Sequence, residues 1–339
     1  MIKAGRTLTI TQAEVFAHDG KRTLVALWRF AADDVLLHAL PIYHVHGLFI
    51  ATHCALLSGA TTHLLPRFDV AAILGLLPRS TVFMGVPTYY VRLLQEQGLT
   101  REAVAHIRLF ISGSAPLLPE TFAAFRERTG QTLLERYGMT EGGMFTSNPL
   151  EGERRGGTVG FPLPGTEVRV VGEDDAPLPA GGIGHIQVRG DNVFAGYWQM
   201  PEKTKEEFTP DGFFRTGDMG RFDSEGYLAI IGRDKDLIIT GGLNVYPKEI
   251  EERIDAIDGV VESAVVGVPH PDFGEAVTAV VVAKPGHALT EASILATLKA
   301  DIAGFKVPKR VFFVVELPRN AMGKVVKAAL REKFATPAA

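Results

Sequence analysis

Short apolar runs at residues 35–40, 81–86 and 109–111 are mostly closed by Gly, Pro or Ser, the pattern of strands buried on both faces. Between them, residues 88–97 and 118–128 set their apolar positions on one helical stripe, so the first half predicts alternating strand and helix. From 158 to 231 the texture changes to short strands at 168–171, 186–189 and 227–231, separated by Gly- and Asp-rich turns. This predicts a smaller β region, a distorted barrel. After Gly232 a helix is expected over 248–257. Ile250, Ile254 and Ile257 fall at helical spacing, Pro247 suits the first turn, and Glu249, Glu251 and Glu252 favour its positive end. Strands at 263–268 and 276–282, a helix at 291–303 and a strand at 310–315 complete a small α+β domain. The expected class is α/β: a large N-terminal domain over 1–232, a boundary at 233–235 and a small α+β domain over 236–339.

Composition narrows the function classes. With 339 residues, 46% hydrophobic and 22% charged, the chain carries enough apolar side chains for two globular units. Lys+Arg 35 against Asp+Glu 39 leaves a net charge of -4, without the basic excess that nucleic-acid binding needs. The lone Cys54 excludes an internal disulfide and a multi-Cys metal cluster and suits a reducing compartment, by default the cytoplasm. The apolar stretch 48–65 is broken by His53, Ser58, Gly59 and His63; it falls short of a membrane span and reads as soluble core. The opening segment 1–20 has no continuous signal-peptide core, and no repeat occurs at a fixed period.

Generic catalytic patterns are absent: no G-x-x-x-x-G-K-[ST], no G-x-S-x-G and no H-E-x-x-H. His44 and His46, read as strand residues, have no second ligand cluster to make a metal site. The informative signal is a set of motifs in one order. PIYHVHG at 41–47 is followed by SGSAP at 112–116, ERYGMTE at 135–141, RTGD at 215–218, GRDKDLIITGG at 232–242 and LPRNAMGK at 317–324.

Together these motifs resemble the adenylate-forming superfamily of acyl-CoA synthetases, luciferases and peptide-synthetase adenylation domains, from about Trp28 to about Phe334. TSNP at 146–149, GERR at 152–155 and GVPHPDFG at 267–274 look most like malonyl-CoA synthetases. The resemblance implies an AMP-forming ligase of fatty acid metabolism that joins a malonate-like carboxylate to CoA with ATP and Mg²⁺. It implies that Gly113, Ser114, Ala115 and Pro116 line the adenine, since small residues let backbone approach a flat base. Tyr137 would stack on that base beside Gly138, Thr140 would bond a phosphate oxygen, and Glu141 would hold Mg²⁺. Asp218 offers two oxygens to a ribose diol, and Arg233 also touches nucleotide. By the same resemblance 233–235 is a hinge on which the small domain over 236–339 is mobile; Lys235 takes the hinge position, Gly241 and Gly242 the pantetheine entrance, and Lys324 the place of the adenylating lysine. His44 resembles the carboxylate-side wall, and Arg92 is the candidate cation for a second carboxylate. Plainer readings stand beside these: a strand-to-helix turn at 112–116, a polar loop at 137–141, a capping aspartate at 218, a hairpin turn at 241–242 and a solvated helical arginine at 92.

The family carries a Ser/Thr/Gly-rich phosphate loop ending in Lys-Gly upstream of the Pro41 motif, and residues 1–29 contain no such run. The expectation is therefore the C-terminal two-thirds of a synthetase, a partial AMP-binding domain with weakened adenylation. The alternative is a non-catalytic remnant that binds AMP or acyl-adenylate, or that complements a separate N-terminal fragment.

Overall fold

The computed structural model describes residues 20–320 and 323–335. The readings of the opening segment, and of Ala321 and Met322 within LPRNAMGK, lie outside the described residues. The chain divides into two compact units, Met1–Val168 with Val188–Phe214, and Arg169–Gln187 with Arg215–Ala339.

The first unit is built on a seven-stranded sheet. Its strands are β1 (Val35–His38), β2 (Thr61–Leu64), β3 (Val82–Gly85), β4 (Leu109–Ser112), β5 (Leu133–Tyr137), β6 (Thr146–Ser147) and β7 (Phe161–Pro162), in the order β2-β1-β3-β4-β5-β6-β7. The first five are parallel neighbours, and β6 and β7 add an antiparallel end. Every residue of β3 and β4 is buried, which is why these strands read as continuous apolar runs. Helices Pro87–Leu94 and Pro119–Thr129 each begin with proline at the first turn and lay Tyr90, Leu93 and Phe125 on Phe83 and Phe110. Trp28 is fully buried in this core and its indole N–H donates to Ser147 Oγ at 3.1 Å.

The stretch 48–65 is core in part: Ile50, Ala51, Cys54 and Ala55 are buried in the first unit's core. It runs through a π-helical segment (His46–Thr52), a helix (His53–Ser58) and the edge strand β2, and Leu56, Leu57 and Leu64 are exposed. An edge strand has one covered side and one open one, so an apolar run there is only half buried. Among the described residues no helix is long and apolar enough to cross a membrane.

The three strands expected within 158–231, β8 (Thr166–Val171), β9 (Gly184–Gly190) and β11 (Leu228–Arg233), are joined by one not expected, β10 (Phe214–Phe222), in a four-stranded sheet of order β11-β10-β9-β8. Towards the C-terminus, β12 (Ile238–Thr240), β13 (Leu243–Val245), β14 (Val260–His270), β15 (Gly274–Ala283) and β16 (Arg310–Phe313) make a five-stranded sheet. Helices Pro247–Asp255 and Glu291–Asp301 pack Ile250, Ile254, Ile294 and Leu298 on Val265, Val277 and Val281. Val266, Val280, Leu317 and Leu330 form a second apolar cluster. The alternation along β14 and β15 thus feeds two cores.

Candidate active site

Four of the expected segments leave the C-terminal ends of adjacent parallel strands. The 41–47 loop follows β1, helix Pro87–Leu94 follows β3, the 113–116 loop follows β4, and 138–141 follows β5. In an open α/β sheet this edge is where ligands bind. The register Ser112↔Glu135 brings the two central loops side by side.

Each loop is shaped by close backbone contacts. A side chain at Gly47 would meet Pro41 O at 2.2 Å, so 41–47 folds back on itself. His38 Nε2 lies 3.0 Å from Gly47 O, and Tyr89 Oη donates to Ala39 O at 3.1 Å. His44, half-buried, accepts the His46 amide on Nδ1 at 3.2 Å. His46 enters the π-helical segment instead of a strand. It is 1% exposed, and Ser114 Oγ lies 3.2 Å from its Nδ1. Burial, helped by the Arg136 charge and by His44 and His38, holds its basicity well below the usual histidine range, so the ring is neutral. Ser114 adopts φ 70°, a left-handed conformation that a non-glycine residue pays for and that recurs at ligand sites. Gly113 is small for a reason of its own: a Cβ there would lie 2.5 Å from Arg136 Cζ.

Tyr137 is half-buried and packs its ring edge-on against Phe145 at 5.6 Å. Gly138 closes the loop so tightly that a Cβ would meet Gly143 O at 2.0 Å. Thr140 is exposed, and Glu141 accepts from Tyr197 Oη at 3.2 Å. Desolvation, followed by the Glu141 carboxylate, pushes the Tyr197 phenol up to about 12. Asn192 Nδ2 donates to both Gly142 O and Met144 O at 2.9 Å, and its Oδ1 accepts from Thr166 Oγ1 at 3.0 Å. Sequence reasoning passed over Asn192 and Tyr197. Their only signal was a DN pair and a GYW triplet in a Gly-rich turn, fifty residues from the loop they hold. Arg92 is exposed on its helix, with Cζ 5.7 Å from the Phe68 ring centre. Among the described residues no group of three or more His, Cys, Asp or Glu is placed to hold a metal. Glu141 alone suits an ion such as Mg²⁺, which keeps waters and takes few protein carboxylates.

In the second unit Asp218 and Arg233 are cross-strand partners on β10 and β11, with Arg233 Nε 2.9 Å from Asp218 Oδ1. Asp218 is 4% exposed, and its amide donates to Thr216 Oγ1 at 3.1 Å. Lys235 is exposed in a short turn, where Arg331 donates to its carbonyl at 3.3 Å and pairs with Asp236 at 2.6 Å. Gly241 (φ 57°) and Gly242 (φ 78°) are the two-residue turn between β12 and β13, the hairpin geometry that demands positive φ at both positions. Lys324 ends a tight turn in which its amide donates to Asn320 Oδ1 at 3.1 Å and Gly323 takes φ 75°.

The sequence pattern of the AMP-binding enzyme family matches residues 9–198, and that of the AMP-binding enzyme C-terminal domain matches 249–324. The chain is 40% identical to a Humulus lupulus protein named "Probable CoA ligase CCL8", over 92% of this chain and 57% of that protein. It is 39% identical to the malonate–CoA ligase of Arabidopsis thaliana, over 92% of this chain and 56% of that one. Among solved structures, ATP-bound MatB from Rhodopseudomonas palustris matches with a TM-score of 0.92 and 58% identity, covering 93% of this chain and 63% of that one. The chain therefore spans less than two-thirds of the length of these relatives.

Proposed function

The chain belongs to the AMP-binding enzyme family, and we propose that it serves an AMP-forming carboxylate–CoA ligase reaction on a malonate-like acid. One observation carries this reading: the SGSAP and ERYGMTE loops lie side by side at the ligand edge of a parallel sheet, in a chain that matches both family patterns. In the first step a carboxylate oxygen attacks the α-phosphorus of ATP and pyrophosphate leaves. In the second the CoA sulfur attacks the acyl-adenylate carbonyl and AMP leaves.

Backbone of Gly113, Ser114, Ala115 and Pro116 would accept the purine against the Tyr137 ring, with Gly138 keeping the loop closed. Thr140 would bond a phosphate oxygen. Glu141, oriented by Tyr197, would hold Mg²⁺, which when bound offsets phosphate charge. Asp218 would take the ribose hydroxyls, with Arg233 fixing its carboxylate. Lys324 would neutralise charge growing on the α-phosphate, Lys235 would act as pivot, and the bare turn at Gly241 and Gly242 would admit pantetheine. His44 would line the acyl side, and the exposed Arg92 would guide the acid inward. The single buried Cys54 supports a reducing compartment, the cytoplasm, and a malonyl-type thioester supports a setting in fatty acid metabolism.

The test is ATP–pyrophosphate exchange driven by malonate, beside calorimetry with AMP. Lys324→Ala is expected to cut exchange by about 10²–10³-fold, the size of losing one donor to developing charge, with AMP affinity nearly kept. Equal exchange in that variant would refute the role of Lys324. AMP binding with no exchange in the parent chain would make it a nucleotide-binding remnant.

A further inference from the structure

The turn that carries Lys324 is braced by side chains at the one peptide that sets the direction of the lysine. Leu317, 3% exposed, sinks into the apolar cluster of Val266, Val280 and Leu330, so the stem of the turn is fixed in the second unit. Above it Arg319 pairs with Val325 across the stem, Val326 N donates to Pro318 O at 2.8 Å, and Asn320 N donates to Lys324 O at 2.9 Å. Gly323 N closes the tip on Asn320 O at 2.9 Å. The peptide joining Gly323 to Lys324 is then gripped at both of its polar atoms. Its carbonyl accepts from Arg319 Nη1 at 2.5 Å, and its N–H donates to Asn320 Oδ1 at 3.1 Å.

The same guanidinium is tied to the body of the sheet, where Arg319 Nη2 pairs with Glu262 Oε2 on β14. Val260 pairs with Ala283 and Glu262 with Val282, so Val261 is an extra residue and the strand bulges just before the glutamate. A bulge of this kind re-aims the side chain beside it. Both members of the pair are only half-buried. An ion pair that water still reaches adds little to stability, so holding the unit together is not what this one contributes. Direction is what it can contribute. Gly323, at φ 75°, has no Cβ to restrict it, and the lysine that follows has a flexible four-carbon stem. Precision in placing the ammonium therefore has to begin in the backbone.

We propose that Arg319, anchored by Glu262, is a positioning residue for Lys324: it locks the Gly323 carbonyl and so aims the lysine ammonium during the first half-reaction. The proposal rests on the ligase reading, with Lys324 as the adenylating lysine. In this role neither Arg319 nor Glu262 needs to touch substrate. They act through the fraction of time Lys324 spends in productive geometry, so their effect enters the kcat of adenylation and leaves nucleotide binding alone.

The experiment measures malonate-driven ATP–pyrophosphate exchange by the full chain and by R319M, E262A, K324A and the double variant R319M/K324A. R319M is expected to lower kcat about 10–10²-fold, the effect of slightly misplacing a catalytic group, while KM for ATP and malonate stays within about two-fold. AMP affinity and melting temperature stay near those of wild type. In the double variant R319M adds nothing to the loss from K324A, because it acts through that lysine. The swapped pair R319E/E262R restores the ion pair but turns a carboxylate towards the Gly323 carbonyl, and it stays as slow as R319M. Wild-type kcat in R319M, losses that multiply with K324A, or full rate in the swapped pair overturns the proposal. Where R319M does not fold, wild-type kcat in E262A overturns it. A parent chain without exchange defeats the ligase reading, and the brace is then read from backbone nitrogen relaxation. Greater motion of Gly323 and Lys324 in R319M upholds it, and unchanged order parameters overturn it.

Discussion

Asn192→Ala is the most exacting test of how the 138–145 loop is held. The amide makes three bonds: Nδ2 to Gly142 O and Met144 O, and Oδ1 from Thr166 Oγ1. Each is worth about 0.5–1.5 kcal/mol net, so removing a half-buried set of three should cost about 2–3 kcal/mol. The chain provides a local probe. Of its two tryptophans, Trp28 is fully buried in this unit and Trp198 is 85% exposed, so the emission change on denaturant unfolding reports Trp28. The midpoint should fall with an unchanged slope, and AMP affinity should drop with it. Asn192→Asp is the sharper variant, because it turns a carboxylate towards two carbonyl oxygens. It should be less stable than the alanine at neutral pH and recover on acidification. An alanine variant with the wild-type midpoint, or an aspartate more stable than alanine at neutral pH, would refute the assignment of Asn192 as the pin of this loop.

Two further outcomes follow from the described geometry. The Tyr197 phenol holds its proton to about 12 in the folded chain and to about 10 when unfolded, so folding stability should decline as pH rises from 10 to 12. An ultraviolet titration should show, among the phenols that burial holds back, one titrating near 12 that is lost in Tyr197→Phe, and an unchanged late-phenol amplitude in that variant would reassign it. Gly242→Ala forces a Cβ into φ 78° at a cost of about 1–2 kcal/mol. Amide exchange along β12 and β13 should accelerate while Trp28 emission stays as it was, and unaltered exchange would show that the turn tolerates a side chain.

Strands buried on both faces were legible because nothing polar interrupts them. β3, β4 and β15 fall within a residue or two of their apolar runs, and Pro247 and Pro119 mark helix starts. Short elements were not legible. β6 and β7 have two residues each and exist only by pairing, β6 with β5 and β7 with β6, and the π-helical segment at 46–52 has no period to detect. The site was half legible. Motif order placed loops along the chain, but register decides which side chains meet. Asp218 and Arg233 stand fifteen positions apart and touch because β10 and β11 pair. Nothing in ERYGMTE distinguishes a solvated arginine from one sealed under a glycine, because burial is a property of the neighbours.

The contact between Gly113 and the Arg136 guanidinium makes these two positions mutually dependent. A Cβ at 113 would lie 2.5 Å from the Arg136 Cζ, so a side chain there requires the guanidinium to shift, and a small residue at 136 lifts that restriction. A side chain at 113 therefore has to come with displacement or shortening of Arg136, so that the two positions change together or not at all.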